Sequence, residues 1–337
     1  MPTSLRVCHE RVLPTEVFRL QSTARRTNAP RAIIEWRKMW VNGSRLRVRF
    51  LGGTADQHRI AREQAAWWTQ HANLSFDFTT DADAQIRVAF DPSDGAWSYV
   101  GTDCLHIDRH LPTMNLGFLD AGTPAHEFGH AIGLGHEHQN PAGGIQWNEE
   151  VVIRDLAKPP NEWTAEETRH NVLNKYKRDQ IRGTAFDSHS IMLYFFPDAW
   201  VKSGKGTKDN HTLSQLDKDF IKSQEAYPHD ARPTVNLKVG AKTPTRGTIG
   251  KRGEEDVFRF AVTKAGAYVI RTGGKSDVVL KLFGPDSATR LIAEDDDSGV
   301  GLNARIKASL IPGDYLAQVR HVKKSATGAY TVSVSKG

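Results

Sequence analysis

The stretch His126-Glu-Phe-Gly-His-Ala-Ile-Gly-Leu-Gly-His136 decides how the first part of this chain folds. On a helix, residues four apart lie on one face. His126 and His130 can therefore direct two imidazoles at one metal ion, and Glu127 projects close beside them. The spacing predicts a helix that carries a metal centre.

The end of the same segment supplies a third ligand. Gly133 tolerates left-handed backbone angles, so we expect the helix to end there and the turn to bring His136 round to the metal. His138 is interpreted as a residue beside the ligands rather than as a fourth ligand. Three nitrogen ligands with one open position are the layout of a catalytic zinc site. The alternative is a histidine-rich amphipathic helix without a metal.

A second motif, Ser190-Ile-Met-Leu-Tyr194, follows downstream. Met192 is predicted to form an apolar floor beneath the ligands, or else to be an ordinary core methionine. The phenol of Tyr194 is predicted to ligate zinc at rest and to swing away to hydrogen-bond an oxyanion. The alternative is a core tyrosine whose hydroxyl has a partner. Asp187 is expected to tie this turn down.

Alternating patterns precede the histidine segment. Residues 46–51 alternate apolar and basic side chains and predict a half-buried strand, and residues 74–78 and 86–90 predict two more. Residues 56–72 have apolar positions at helical spacing. Strand, helix, strand, strand predicts a twisted sheet with the helix on one face.

The segment that leads into the histidines contains two further strand-like runs, at residues 98–102 and 113–117. One of them is expected to form the edge of the sheet above the active site, where an extended peptide can bind by main-chain hydrogen bonds. Thr123 is predicted to cap the zinc helix, with Pro124 at its first position.

Length and composition suggest two soluble domains. The chain has 337 residues, of which 39% are hydrophobic and 25% charged. We predict an N-terminal arm or pro-segment over residues 1–34, a zinc domain over 35–230 and a second domain over 234–337. No apolar run approaches the ~18 residues of a membrane span. The first residues lack the apolar segment of a secretory signal peptide.

Residues 234–337 are strand-rich and basic. They contain 17 Lys and Arg residues, but only 10 Asp and Glu residues. The charge is diffuse and no aromatic residues alternate with it, so we predict no nucleic-acid partner. Attraction to an acidic surface or polymer is one interpretation, and a plain solvated face is the other. Short alternating runs that predict a β-sandwich occur at residues 256–262, 266–271, 278–283, 304–308, 313–320 and 328–334.

The chain has two cysteines, Cys8 and Cys104. They are too few for a disulfide framework. Three interpretations stay open: the two cysteines pair, Cys8 caps the zinc as an inhibitory thiolate before activation, or the two are unrelated buried or free thiols.

Together the two motifs resemble the metzincin clan of zinc endopeptidases, and within it the astacin-type enzymes. The likeness covers residues 35–228 and includes Glu137 after the third histidine. It implies an α+β fold, with a metzincin-type twisted mixed sheet and an active-site helix. It also implies that the three histidines named above are zinc ligands, that Glu127 is the general base, that Met192 is the methionine turn and that Tyr194 is a switchable fifth ligand.

Residues 234–337 separately resemble the bacterial pre-peptidase C-terminal domain. The likeness lies in Glu294-Asp-Asp-Asp-Ser-Gly-Val-Gly-Leu-Asn-Ala-Arg-Ile306 and Ile311-Pro-Gly-Asp-Tyr315. It implies an all-β sandwich domain of the kind that accompanies secreted bacterial proteases. Ca²⁺ prefers oxygen ligands such as those of Asp295-Asp-Asp297, so a calcium ion there is one expectation and a solvated turn is the other.

The sequence thus predicts a zinc-dependent endopeptidase in which Glu127 takes a proton from metal-activated water. The expected partner is a protein or peptide substrate, and the chain is expected to be a monomer. The resemblance implies a secreted, extracellular protein, despite the missing signal peptide. The alternatives are a protease-type toxin or effector delivered to another cell, a weakly catalytic binding or adhesin protein, and a metal-dependent amidase that acts on cell wall.

Overall fold

The computed structural model describes residues 9–11, 38–120, 122–140, 143–159, 161–175, 186–223, 226–229, 234–285, 287–323 and 325–337. They belong to two compact units. The first is built around Leu46–Lys222, and the second consists of Trp40–Arg45 and Ser223–Gly337. Within these described ranges, no helix is both long and apolar enough to cross a membrane. Most of the predicted arm lies outside the described residues.

A six-stranded sheet is the frame of the first unit. Its strands are β1 (His9–Arg11), β2 (Arg45–Phe50), β3 (Ser75–Phe78), β4 (Ile86–Ala89), β5 (Ala96–Tyr99) and β6 (Met114–Leu116). Their order in the sheet is β1-β5-β6-β4-β2-β3. Strands β2, β4 and β6 are parallel, and β5 is antiparallel to β6. The predicted mixed sheet is confirmed.

Helix α1 (Ala55–Thr69) supports the start of α2 (Thr123–Ala131), which is the histidine-bearing helix. The buried Trp68 of α1 donates its indole N–H to the Ala125 carbonyl at 2.6 Å. The Ala125 N–H donates in turn to the Gln64 side chain at 3.1 Å. An N–H in the first turn of a helix has no partner within the helix, so α1 satisfies a group that would otherwise be orphaned.

A buried guanidinium fixes the connection between β5 and β6. Arg87 of β4 is only 4% exposed, and it donates hydrogen bonds to the carbonyls of Ala84, Ile107, Asp108 and Leu111. Burying this cation is tolerated because each of its nitrogens is hydrogen-bonded. Residues 98–102 are not one strand as predicted: β5 ends at Tyr99, and a short 3₁₀ helix spans Gly101–His106.

Short helices follow the histidine segment. They are α3 (Glu149–Leu156), α4 (Ala165–Thr168), which continues as a π-helical turn over Arg169–Leu173, and α5 (Gln215–Ile221). Val172 joins a buried cluster with Leu193, Phe196 and Trp200, and Trp163 and Leu173 pack against that cluster. Trp163, Val172 and Leu173 therefore pack with Leu193 of the second motif.

The second unit consists of two sheets around one core. The strands are β7 (Val235–Asn236), β8 (Thr245–Ile249), β9 (Glu255–Val262), β10 (Gly266–Gly274), β11 (Val278–Phe283), β12 (Leu291–Asp295), β13 (Arg305–Leu310), β14 (Gly313–His321) and β15 (Gly328–Lys336). One sheet has the order β13-β10-β15-β8, and the other has the order β12-β11-β14-β9-β7. Side chains from both sheets form a single apolar cluster. The predicted all-β class is confirmed.

Three strands of this unit, β7, β8 and β12, escaped the sequence prediction. Strand β7 has only two residues, and β8 includes Gly247, which weakens a strand pattern. Strand β12 ends in acidic residues that are rare in strands. Their partners in the sheets, rather than their own propensities, hold these segments extended.

Candidate metal centre and active site

Helix α2 begins differently from the prediction. Gly122, and not Thr123, is the N-cap, so Thr123 is the first helical residue. Gly122 has a φ of 108°, and a Cβ atom there would lie 2.9 Å from the Ile191 side chain. The left-handed angle and the close approach of the second motif both require glycine at this position.

The other end of α2 turns the chain as the sequence predicts. The helix ends at Ala131, and Gly133 has a φ of 104°. The Leu134 N–H donates to the Gly129 carbonyl at 2.9 Å, and the Gly133 N–H donates to the His130 carbonyl at 2.8 Å. This pair of bonds is the Schellman motif that ends many helices. The chain can therefore reverse and return the third histidine to the helix.

The three predicted ligands converge in the folded chain. His126, His130 and His136 are all buried, and their potential ligand atoms lie within 4.8 Å of one another. The Nε2 atom of His130 lies 3.1 Å from that of His126 and 2.9 Å from that of His136. Among the residues that the structure describes, no other cluster of His, Cys, Asp and Glu side chains has the spacing of a metal site.

The protonation pattern of this cluster suits a cation. The Nδ1 atoms of His126 and His130 each lie 2.7 Å from a carbonyl oxygen, of Ile191 and Leu134 respectively. A carbonyl only accepts, so both Nδ1 atoms carry the proton and both Nε2 lone pairs face each other. Burial also lowers the pKa of His126 to about 4, which keeps it neutral. The lone pairs would repel without a cation between them.

The spacing of the nitrogens agrees with Zn²⁺. Ligand nitrogens about 2.0 Å from a tetrahedral zinc ion lie roughly 3.3 Å apart. The two separations between the Nε2 atom of His130 and those of His126 and His136, 3.1 and 2.9 Å, are close to this value. Three histidines without a fourth protein ligand also match the donor set of catalytic rather than structural zinc sites. The residues present therefore fit this metal.

Glu127 is fully buried beside the first ligand on α2. Desolvation disfavours a charged carboxylate, and a nearby cation restores the charged form. A metal ion at the three histidines would therefore hold Glu127 ionised and able to accept a proton.

The second motif packs directly beneath α2. A Cβ atom at Gly129 would lie 2.5 Å from the Met192 sulfur and 3.0 Å from the Trp68 ring. Glycine inside a helix costs about 1 kcal/mol relative to alanine. The close approach of Met192 and Trp68 explains why position 129 is nevertheless a glycine. Met192 is 3% exposed and so has the position of the predicted floor.

The phenol of Tyr194 reaches the histidine cluster. Its hydroxyl contacts the Nε2 atom of His136, and its ring stacks on His126 with the centroids 5.0 Å apart. The ring also lies against His138 at 5.4 Å. Tyr194 is thus the only tyrosine of the described residues whose hydroxyl contacts this cluster, which is the placement that the sequence predicts.

His138 is turned away from the ligand atoms. Its Nε2 atom hydrogen-bonds to the Asn171 carbonyl at 3.0 Å, and its ring stacks on His136. The residue that ties this segment to the second motif is Glu137: its N–H donates to the Met192 carbonyl, and its carboxylate accepts the Asp187 N–H, both at 2.9 Å. The prediction that His138 is not a ligand agrees with this geometry.

Asp217 holds the second motif, and sequence reasoning missed it. Its carboxylate accepts the Ser190 hydroxyl at 2.7 Å, and the N–H groups of Ile191 and Ser214 at 2.9 Å each. Asp187 adds the expected tie by accepting the Ser214 hydroxyl at 2.6 Å. The capping pattern Ser214-Gln-Leu-Asp217 is visible in the sequence, but its second role across the fold is not.

Replacing Asp217 with alanine is expected to lower the free energy of unfolding of the first unit by about 3 kcal/mol. Three donors would lose their acceptor, two of them on the buried residues Ser190 and Ile191, and leaving a buried donor unsatisfied costs roughly 1–3 kcal/mol before relaxation. Calorimetry measures the shift of the melting transition. Asp219→Ala is the matched control on the same helix, because Asp219 is exposed and its contacts with Lys222 and Gln215 lie at the surface, so its loss should change little. Equal shifts for the two variants would contradict the role of Asp217.

An extended segment of the chain itself occupies the edge of the sheet. Strand β1 pairs with β5 in parallel, with His9 opposite Trp97 and Arg11 opposite Tyr99. The other side of β5 is taken by β6. The prediction that residues 98–102 or 113–117 form the sheet edge is therefore wrong: β5 is the second strand of the sheet, and β1 covers it by main-chain pairing.

Two further expectations concern the cysteines and calcium. Cys104 is a buried free thiol, and burial raises its pKa, whereas Cys8 lies outside the described residues. Asp295 accepts the N–H groups of Ser298 at 3.2 Å and Arg305 at 2.6 Å, so it organises its own turn. The described residues give no support for a calcium site there.

Comparison with known proteins shows which family the chain resembles. The model of the peptidase family Astacin matches residues 33–222. Mouse tolloid-like protein 1 (Mus musculus) is 25% identical over 184 residues, which are 52% of this chain and 16% of that protein. Bone morphogenetic protein 1 of Xenopus laevis is 28% identical over 148 residues, which are 42% of this chain and 18% of that protein. The alignments thus span less than a fifth of these relatives.

Two solved structures resemble parts of this chain. The structure of myroilysin is 35% identical to this chain with a TM-score of 0.56, and the match covers 58% of this chain and 98% of that one. The pre-peptidase C-terminal domain of a Bacillus anthracis collagenase is 20% identical with a TM-score of 0.27, over 31% of this chain and 99% of that one. The second likeness is too weak to carry an argument.

The fold and the three-histidine site define a metzincin-type protein. The chain belongs to the astacin family of peptidases, because the family match covers more than half of it.

Proposed function

We propose that this chain is a zinc-dependent endopeptidase with His126, His130 and His136 as the metal ligands. The observation that carries the proposal is the convergence of three buried histidine Nε2 atoms on the helix segment that carries Glu127, in contact with the Tyr194 hydroxyl. A bound Zn²⁺ would supply Lewis acidity towards water and towards the peptide carbonyl.

The chain's own residues supply the proton transfers and the remaining charge stabilisation. Glu127 accepts a proton from the attacking water and delivers it to the leaving amine. Tyr194 hydrogen-bonds to the negatively charged oxygen that develops on the scissile carbonyl. The bond from the Glu137 N–H to the Met192 carbonyl and the hydrogen bonds of Asp217 keep the ligands and Tyr194 in register.

Strand β5 is the surface that would hold the substrate. A peptide that adds to a sheet edge gains main-chain hydrogen bonds without requiring one particular sequence. Because β6 fills one side of β5, a substrate strand has to use the side where β1 lies. We therefore propose that residues 9–11 must leave before a protein substrate binds.

The proposed function is tested by incubating a denatured protein with the full chain and with a chain that lacks residues 1–11. Mass spectrometry then maps the cleaved bonds. We expect cleavage by both forms, with the shorter form faster by about tenfold if displacing β1 costs about 1.4 kcal/mol. A zinc chelator should abolish the cleavage and added Zn²⁺ should restore it. Absence of cleavage by the zinc-loaded shorter form would refute the proposal.

We keep residues 35–230 as the peptidase domain, residues 234–337 as a β-sandwich, a monomeric state and extracellular action, all as proposals. A toxin or effector, an adhesin-like binder and a cell-wall amidase remain the alternatives. The intact site argues against a pure binder, because a binder has no need of Glu127.

A further inference from the structure

The outer surface of one sheet of the second unit carries an unusual charge pattern. In the sheet β13-β10-β15-β8, side chains of the common core alternate with side chains that face outward. Arg271 on β10, Arg305 and Lys307 on β13, and Arg246 on β8 are all exposed at outward positions. These four cations are called the basic face below.

The register brings the cations close together. Arg271 lies directly opposite Arg305 on the neighbouring strand, and Lys307 is two residues further along β13. Neighbouring strands are about 4.8 Å apart and alternate residues about 6.8 Å apart, so these three Cα atoms lie within about 10 Å. Like charges directly opposite each other destabilise a sheet. The arrangement is therefore unfavourable for the isolated unit.

No outward position of this sheet carries an acidic side chain; the neighbouring Asp295 of the other sheet binds the main-chain N–H of Arg305. Within the described part of the chain, none of its four cations forms an ion pair with Asp or Glu, whereas Arg259 on the other sheet pairs with Asp314. The remaining outward positions carry only small, apolar or hydroxyl residues, namely Thr248, Ala267, Val269, Gly273, Ser309, Ala329, Thr331, Ser333 and Ser335. The positive charge is thus left for an external partner.

We propose that the basic face binds a linear anionic polysaccharide that carries carboxylate or sulfate groups. The cations are spread over separate strands, so a small anion would meet only some of them, whereas successive acidic groups of a polymer can meet each one. The serine and threonine hydroxyls between the cations can hydrogen-bond to sugar hydroxyls. The excess of 17 basic over 10 acidic residues in residues 234–337 adds attraction at longer range.

Other anionic macromolecules fit this surface less well. Proteins that bind single-stranded nucleic acid stack bases on aromatic side chains, and the basic face has no aromatic residue at its outward positions. Surfaces that bind anionic membranes combine basic residues with large apolar ones that insert. The largest apolar outward residue here, Val269, is only 7% exposed.

The test measures binding of the full chain to heparin, as a sulfated probe, and to polygalacturonate, as a carboxylated probe. The basic-face variant is Arg271→Thr/Arg305→Thr/Lys307→Thr. The charge-matched control is Lys251→Thr/Arg252→Thr/Lys264→Thr, whose exposed residues lie in turns. We expect the basic-face variant to lose tenfold or more in affinity for at least one probe. For this variant, the slope of log affinity against log salt concentration should also become shallower by about two to three, because three ion contacts are lost.

Several results would overturn the proposal. One is that the unaltered chain binds neither probe. Another is that the basic-face and control variants lose affinity equally. A third is that the unaltered chain binds single-stranded DNA or anionic vesicles more tightly than either polysaccharide at the same salt concentration. If the triple variant fails to fold, the double variant Arg271→Thr/Arg305→Thr replaces it, and its melting temperature shows that it is folded. The proposal does not depend on peptide hydrolysis, so cleavage of a short peptide should be the same for all variants.

Discussion

Replacing Glu127 with glutamine is expected to lower kcat for peptide hydrolysis on the order of 10²- to 10⁴-fold, because general acid–base catalysis contributes that much. Glutamine keeps the size of the side chain and its fully buried position in α2, but it cannot take a proton from water. The three ligand nitrogens belong to other residues. The zinc content of the variant should therefore remain at one ion per chain, as elemental analysis measures it.

The matched control for this variant is Glu137→Gln. Glu137 is the other buried glutamate of the segment, but it accepts hydrogen bonds from Asp187 and Asn140 instead of facing a substrate. Glutamine retains one acceptor oxygen there, so we expect a loss of thermal stability with a much smaller loss of kcat. An active Glu127→Gln enzyme would remove Glu127 from the mechanism. Loss of zinc in that variant would instead assign it to holding the metal site.

The sequence was sufficient for those parts of the site in which local geometry determines function. His126 and His130 face one way because of the helical repeat, and Gly133 returns the chain because of its left-handed angle. The regular strands of the second unit were predicted for the same reason, since alternation within one strand is a local pattern.

Features that depend on pairing between distant segments were not predictable. Asp217 lies in a capping sequence on its own helix, and only the folded chain shows that the same carboxylate binds Ser190 and Ile191. The cap of α2 is Gly122 rather than Thr123, and the Ile191 side chain that leaves room only for glycine there comes from a distant segment. A single sequence gives no signal for such contacts.

The basic face was also not predictable from the sequence. Arg271 and Arg305 are 34 positions apart in the sequence, and only the β10–β13 register places them opposite each other. The composition indicates an excess of positive charge in residues 234–337, but not that it gathers on one sheet surface. Register is a property of strand pairs, so it has no counterpart in the pattern of either strand alone.

Replacing Tyr194 with phenylalanine is expected to lower kcat about 10²-fold and to leave KM nearly unchanged. The loss of one donor to a developing oxyanion commonly costs ~10²–10³ in rate, and that hydrogen bond strengthens only in the transition state. The ring contacts of Tyr194 with His126 and His136 do not involve its hydroxyl, so phenylalanine keeps them.

Steady-state kinetics on a fluorogenic peptide, together with zinc analysis, distinguish this role from a structural one. A core tyrosine would lose thermal stability on substitution, whereas an oxyanion donor would lose kcat at an unchanged melting temperature. Tyr268→Phe removes a buried hydroxyl that donates to the Lys264 carbonyl in the second unit, so it is the control for losing a phenol alone. If kcat of Tyr194→Phe matches that of this control, Tyr194 has no catalytic role. If KM rises at constant kcat, Tyr194 binds the substrate in its ground state. The charge on the oxyanion would then be stabilised by the metal alone.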